Sequence, residues 1–386
     1  MSAPPLNVKA HVDFIAALDK KKNDYEYWLT EQAVLNGIYW GLTALFLLGA
    51  PDTLVREDVI QFVVDCWDSK TGGFAGNIGH DAHLLYTLSA IQILATYDAL
   101  DRVDTDRVVE YVCSLQLPGG AFQGDRFGEV DSRFSFCALA CLTLLGKQDS
   151  CDVPAAVDFV VRCKNFDGGF GSVPGAESHA GQVFCCVGAL ALTNSIDKHI
   201  DRDHLGWWLA ERQLPNGGLN GRPEKLADAR PPLMLPLPAC PSARLAAPFP
   251  HADTRAHVCT FVLRMRRPWL PQVCYSWWCL SALTILDRLH WISAEPLSNF
   301  ILNAQALEDD QYSRESANKL SGQALDDAQD HGGIADRPGD RPDVFHTLFG
   351  VAGLSLLKYP GLEPVDPLFC MPLKVTQRLG LAKEKY

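Results

Sequence analysis

Gly168-Gly169-Phe170 is one of five places where a glycine pair leads into an apolar residue. The others are Gly72-Gly73-Phe74, Gly119-Gly120-Ala121-Phe122, Gly217-Gly218-Leu219 and Gly332-Gly333-Ile334. Their apolar residues fall at 74, 122, 170, 219 and 334, so the first three intervals are 48, 48 and 49 residues. A fixed spacing of that size marks a repeat architecture. Behind each glycine pair comes a polar stretch and then an apolar run, as in His83-Leu84-Leu85-Tyr86-Thr87-Leu88-Ser89-Ala90-Ile91-Gln92-Ile93-Leu94. Leu and Ala dominate these runs, which are longer than a strand. A second amphipathic segment, such as 108–115, precedes the next glycine pair, so each unit is expected to be a helical hairpin. Runs such as 134–145 and 183–192 are apolar on nearly every side, whereas their partners carry charge on one face, which predicts an inner and an outer helical layer. With an incomplete unit at 35–48 opening the set, about six hairpins result. Neither end shows a polar capping unit, which favours a closed ring, an all-α α/α toroid, over an open solenoid. A ring of inner helices encloses a cavity lined by aromatic and small side chains, suited to a long apolar ligand.

The last interval is 115 residues, about 66 more than the period allows. Residues 229–272 hold nine of the 24 prolines and six arginines but no lysine, and follow neither helical nor strand periodicity. Residues 306–329 are polar and acidic and read as a solvated loop. Removing these 44 and 24 residues restores the spacing. The expectation is a single toroid domain over 1–386 with insertions at 229–272 and 306–329. The first has the character of translated non-coding sequence, as from a retained intron. Its Cys240, His251, His257 and Cys259 match no metal-site spacing and read as a chance collection.

The length of 386 residues, with 47% hydrophobic and 21% charged residues, fits a globular chain with a sizeable core and excludes a disordered or fibrous one. A net charge of −12 argues against nucleic acid as a partner, since phosphate needs a basic face. Thirteen cysteines, an odd number, follow a start with no apolar signal core, which favours the reducing cytoplasm over a disulfide scaffold. The charge-free stretches 32–51 and 268–286 approach membrane-spanning length, but glycines, prolines and amides interrupt them, so no transmembrane segment is expected.

Three metal-ligating residue types stand where apolar runs begin or are about to begin: Cys274, His346, and Asp228 just before the first insertion. Excising 229–272 would leave Asp228 two residues before Cys274. A carboxylate, a thiolate and an imidazole with an open fourth position suit catalytic zinc, although a Cys and a His in apolar helices, taken alone, are more often core residues. Arg222, Pro223, Glu224 and Lys225 form a charged loop whose cations could hold a diphosphate or simply be solvated. His179 and Tyr275 occupy comparable places beside helix starts.

These residues resemble the β subunits of protein prenyltransferases, and within that family those of the type II enzyme, Rab geranylgeranyltransferase. The resemblance rests on NGIYWGLTAL (36–45), GHDAHLLYTLSAIQIL (79–94), DSRFSFCA (131–138), NFDGGFG (165–171), ESHAGQ (177–182), LGWWLAERQLPNGGLNGRPEK (205–225), VCYSWW (273–278), DRLHWI (287–292), ADRPGD (335–340), FHTLFGVAGLSLL (345–357) and FCMP (369–372). Together they cover nearly all of the chain outside the insertions.

The resemblance implies an α/α toroid paired with an α subunit. It implies transfer of a geranylgeranyl group from geranylgeranyl diphosphate to C-terminal cysteines of a Rab GTPase presented by an escort protein. It puts zinc on Asp228, Cys274 and His346. Diphosphate and lipid contacts fall on His179, Ala180 and Gly181, on Arg222 to Lys225, and on Tyr275, Ser276, Trp277 and Trp278. Asp336 matches a magnesium position of related enzymes, and Asp343 is placed to orient His346.

The chain departs from the family pattern at Gln272, an amide two residues before Cys274, with Asp228 lying 46 residues from that cysteine. Opening the link costs roughly 3 kcal/mol of loop-closure entropy, against apparent zinc energies of about 10 to 16 kcal/mol. Entropy alone would weaken such a site without abolishing it. The insertion is nevertheless expected to impair transfer by displacing Asp228 or filling the cavity, and a form without 229–272 to be active. Farnesyl and type I geranylgeranyl transferase β subunits are the alternative enzymes, and a non-catalytic binding module the alternative class. Terpene cyclases are disfavoured because their Asp-x-Asp-Asp motif is absent.

Overall fold

The structure is a computed structural model and describes residues 3–18, 30–223, 272–307 and 331–383. Apart from Gln272, Ala306 and Leu307, the two expected insertions lie outside the described residues. The helices are α1 (Val8–Ala17), α2 (Val34–Leu47), α3 (Arg56–Asp65), α4 (Leu84–Thr96), α5 (Thr105–Ser114), α6 (Ser132–Leu144), α7 (Val153–Arg162), α8 (Ala180–Leu192), the short α9 (Ile196–His199), α10 (Arg202–Ala210), α11 (Cys274–Ile285), α12 (Ala294–Leu302), α13 (Val344–Leu356) and α14 (Leu373–Arg378). Two small antiparallel ribbons pair β1 (Ile334–Ala335) with β2 (Pro342–Asp343) and β3 (Val365–Asp366) with β4 (Met371–Pro372).

Helices α2, α4, α6, α8, α11 and α13 are the inner layer. They are apolar on nearly every side because both faces are covered: by neighbours in the ring and by the outer helices. Each packs on the next, and α13 returns to α2, so the ring closes as expected. The outer helices bury one stripe only, such as Val108, Val109, Tyr111 and Val112 of α5 or Ala156, Phe159 and Val160 of α7. Aspartates Asp104, Asp152 and Asp201 start α5, α7 and α10 by accepting backbone N–H bonds that the first turn cannot satisfy internally.

The glycine pairs join the layers. At Gly217 the backbone has φ +88°, and an added Cβ would lie 2.2 Å from the carbonyl oxygen of Pro296 in α12. Only glycine allows both the left-handed turn and this approach to the next outer helix. Gly72 and Gly120 press in the same way on Arg107 of α5 and Ala155 of α7, and Gly332 on Ala10 of α1. The N-terminal helix is thus the outer partner of the last glycine pair and seals the seam.

Every inner helix starts at one end of the ring, and the other end is floored. Between β3 and β4 the chain crosses the ring, and its carbonyls at Pro367, Phe369 and Cys370 accept hydrogen bonds from Ser281 (2.5 Å), Gln92 (2.7 Å) and Tyr39 (2.8 Å). These donors belong to α11, α4 and α2, so one short segment is tied to three sides.

Candidate active site

The residues of interest gather where the inner helices begin. His83, Asp131, His179 and Asp343 precede α4, α6, α8 and α13, and each accepts a backbone N–H from the first turn. Before α11, although no side chain caps that helix, Gln272 stands in register with these residues. Its N–H bonds to Leu219 O at 3.1 Å, as His83 bonds to Phe74 and His179 to Phe170. Nine residues separate those two pairs and 53 separate Leu219 from Gln272, so Gln272 keeps the register of His83 and His179 across a much longer sequence interval.

Cys274 and His346, which the sequence placed in one site, stand on adjacent inner helices at the same end. Cys274 is buried, and burial above all pushes its thiol well up, with the carboxylates of Asp336 and Asp343 adding to the effect. Asp343 holds the His346 ring through Nδ1···Oδ2 at 2.6 Å and its N–H through Oδ1 at 2.8 Å. A carboxylate only accepts, so in the neutral ring Nδ1 carries the proton and Nε2 keeps its lone pair, the state a metal-binding imidazole needs. Gln272 Oε1 lies 3.8 Å from Cys274 Sγ, and its Nε2 donates to Asp336 Oδ2 at 3.4 Å. Among the described residues no three His, Cys, Asp or Glu side chains are set to hold a metal ion. Asp228, the third expected ligand, lies outside them, as do Glu224 and Lys225.

The donor chemistry of Cys274 and His346 fits zinc, with a soft sulfur and an imidazole whose second nitrogen is fixed by a carboxylate. Asp336, the magnesium position by resemblance, has both carboxylate oxygens engaged by the Arg337 guanidinium.

A second group adjoins this one. His179 Nδ1 accepts the Gly181 N–H at 3.1 Å, which puts the ring proton on Nε2, 3.2 Å from Tyr275 Oη. That leaves the phenol O–H free to point away from the histidine. Burial pushes the Tyr275 hydroxyl well up and the Arg222 cation opposes the rise, so Tyr275 stays a neutral donor. Gly221 lies under the Tyr275 ring, where an added Cβ would come within 2.5 Å. Arg222 is half-exposed and paired with Glu177 at 2.6 Å. Ala180, Gly181 and Pro223 contribute backbone to the same rim, whereas Ser276 and Trp277 are buried deeper in α11.

Below the rim runs a tract of aromatic rings. Trp278 meets Phe345 (6.3 Å) and Phe349 (6.0 Å), Trp40 packs on Phe345 (5.0 Å), and Trp277 joins Phe349 (6.4 Å) to Phe184 (5.9 Å). Phe184 continues to Phe136 at 5.1 Å, and Gly188 beside Phe136 leads to Leu368 of the floor. Sequence reasoning foresaw aromatic lining in general but not Trp40, Phe136, Phe184, Phe345 or Phe349 as a continuous wall. It also missed Glu177 and Arg133, which stands at the start of α6 with Asp131 at 3.0 Å. Arg133 occupies in its unit the place Cys274 occupies in α11, two residues beyond the cap, and repeat register was the signal that could have found it.

A toroid with a polar rim beside a greasy interior defines a class. The prenyltransferase α-α toroid family model matches residues 6–229 and 266–371, and the chain belongs to that family. It is 48% identical to the geranylgeranyl transferase type-2 subunit beta of Saccharomyces cerevisiae, over 95% of this chain and 94% of the relative. It is 45% identical to geranylgeranyl transferase type-2 subunit beta 1 of Arabidopsis thaliana, over 97% and 95%. These relatives are transferases of prenyl groups, and the chain is an enzyme subunit of that kind. A solved structure, Candida albicans protein geranylgeranyltransferase-I complexed with GGPP, covers 99% of both chains with a TM-score of 0.72 at 18% identity, and confirms the fold. No helix among the described residues is long and apolar enough to cross a membrane.

Proposed function

We propose that the chain is the catalytic β subunit of a type-2 geranylgeranyl transferase. In this reading it works with an α subunit in the cytoplasm and transfers the geranylgeranyl group of geranylgeranyl diphosphate to C-terminal cysteines of Rab proteins brought by an escort protein. The observation that carries the reading is the aromatic tract running from Trp278 toward the floor, which begins at the rings of His179 and Tyr275 and so sets an apolar wall suited to an isoprenoid beside polar donors. The names of the type-2 relatives support the choice of lipid, and the resemblance of the sequence motifs motivates the choice of Rab proteins as substrate.

The wall residues bind the isoprenoid by apolar burial, about 0.8 kcal/mol per methylene, and exclude water from the reacting carbon. His179 Nε2–H, Tyr275 O–H and Arg222 face the diphosphate. As the protein sulfur forms its bond to carbon 1, the carbon–oxygen bond breaks and its electron pair leaves with the diphosphate. The donors meet that growing charge, which is where preorganised groups contribute most. Arg222 must leave Glu177 to do so. Cys274 and His346 would hold zinc together with a carboxylate. When bound, zinc supplies a cationic position at which a substrate thiol is kept as thiolate at neutral pH. Magnesium at Asp336 would compete with Arg337, so the reading gives the diphosphate charge to the chain's own cations.

The test is co-expression with the α subunit and transfer of labelled geranylgeranyl diphosphate to a Rab protein with its escort. Zinc-dependent labelling of the C-terminal cysteines is expected, weaker for the full chain than for a form without 229–272. A zinc-loaded complex that binds no lipid diphosphate overturns the reading.

A further inference from the structure

His11 is buried in α1, and both partners of its side chain lie about 300 residues away in sequence. Its Nε2 lies 2.9 Å from Gln305 Oε1 and its Nδ1 accepts the Gly333 N–H at 3.0 Å. The Gln305 amide is oriented by its other partners. Oε1 also accepts from Asn7 N at 2.9 Å, while Nε2 donates to Leu302 O at 2.9 Å and Pro5 O at 3.2 Å. The oxygen therefore faces His11, which puts the ring proton on Nε2 and leaves Nδ1 bare for Gly333.

Gly333, at φ +79°, leads straight into β1. This two-residue strand is tied to both halves of the site. Ile334 pairs with Asp343, the carboxylate that holds His346, and Thr347 Oγ1 locks the pair by accepting from Ile334 N (2.9 Å) and donating to Asp343 O (2.6 Å). One residue beyond β1, Asp336 O accepts the N–H of Val273 at 2.7 Å, immediately before Cys274. The hydrogen bonds in this series all lie on buried or half-buried groups, and consecutive residues join them.

The geometry points to His11 as a positioning residue: through Gly333 it seats the ribbon from which Cys274 and His346 are both set. This rests on the reading of those two residues as one site. Its consequence is that the N-terminal helix, which carries none of the expected site residues, belongs to the machinery that aims them.

Two variants split the two bonds. His11→Asn keeps an acceptor where Nδ1 was and loses the bond to Gln305. His11→Gln keeps a donor where Nε2 was and leaves the Gly333 N–H without a partner. Each abandons one buried polar group, so a merely structural role would affect both alike. The full chain with its α subunit is compared by amide exchange at 333–335, by zinc loss to a competing chelator, and by transfer kinetics. For His11→Gln, exchange at 333–335 is expected to rise at least about tenfold, and zinc affinity and kcat to fall about three- to tenfold, with KM for the lipid diphosphate nearly constant. His11→Asn is expected to stay within about twofold of the unmodified chain in all of these, although both variants melt lower. Equal shifts in the two variants, or none in either, overturn the positioning role. An unmodified complex that binds zinc but transfers no prenyl group sinks the functional reading instead, and the zinc and exchange results then still decide the role of His11.

Discussion

At Gln272 an amide rather than a carboxylate reaches toward Cys274, in a position that four other inner helices give to His83, Asp131, His179 and Asp343. Gln272→Asp would restore an anionic oxygen next to the thiol. It is expected to tighten zinc binding by about tenfold or more, read by chelator competition; no gain would mean that Asp228 already fills the position. Tyr275→Phe removes the free O–H beside His179 and is expected to lower the single-turnover rate by about ten- to a hundredfold with little change in lipid binding. An equal loss of binding would place Tyr275 in ground-state recognition only. Cys274 and His346 were legible in sequence because both stand where an apolar run opens behind a repeat unit. The hold of Glu177 on Arg222 was not, because it joins loops of different units and depends on how the hairpins stack.

The glycine pair is the element that fixes the stacking. Gly217→Ala must absorb both a left-handed backbone and a Cβ 2.2 Å from Pro296 O, and is expected to cost at least about 3 kcal/mol. Gly49 shares a positive φ, +76°, but has nothing within 4 Å of an added Cβ, so Gly49→Ala should cost only about 1 kcal/mol. Chemical denaturation of the two variants checks the contrast, and similar losses would mean that close approach matters little. The inner and outer helices could be read from the chain because their periodicity is local. The roles of α1 and of the floor could not. Their partners, Gly333 for His11 and Cys370 for Tyr39, lie more than 300 residues away, and neither segment repeats.

For the molecule as a whole, the seam makes stability depend on pH. An unfolded histidine takes up a proton near pH 6.5, whereas burial makes His11 do so only at lower pH, and the Gln305 bond opposes this in part. Below pH 6.5 the unfolded chain therefore binds more protons. The contribution of His11 is complete above that pH and is lost as pH falls, by at most about 1.4 kcal/mol per unit. Burial raises Asp366, so its contribution has the opposite sign, growing as pH falls through its folded value. It is common to the unmodified chain and His11→Asn and cancels between them. The denaturation midpoint is expected to drop more for the unmodified chain than for His11→Asn between about pH 7.5 and 5.5. Parallel curves would show that the seam does not sense protons.

The same seam orders events during synthesis. Helix α1 leaves a ribosome well before its partners Gln305 and Gly333, which follow His11 by 294 and 322 residues. Until they appear, the apolar flanks of α1 and α2 have nothing to close against, and a growing arc of hairpins must travel with both ends open. A newborn chain of this shape stays an unfinished circle until those residues emerge, and its need for sheltering by chaperones should end abruptly when the hairpin that carries them appears.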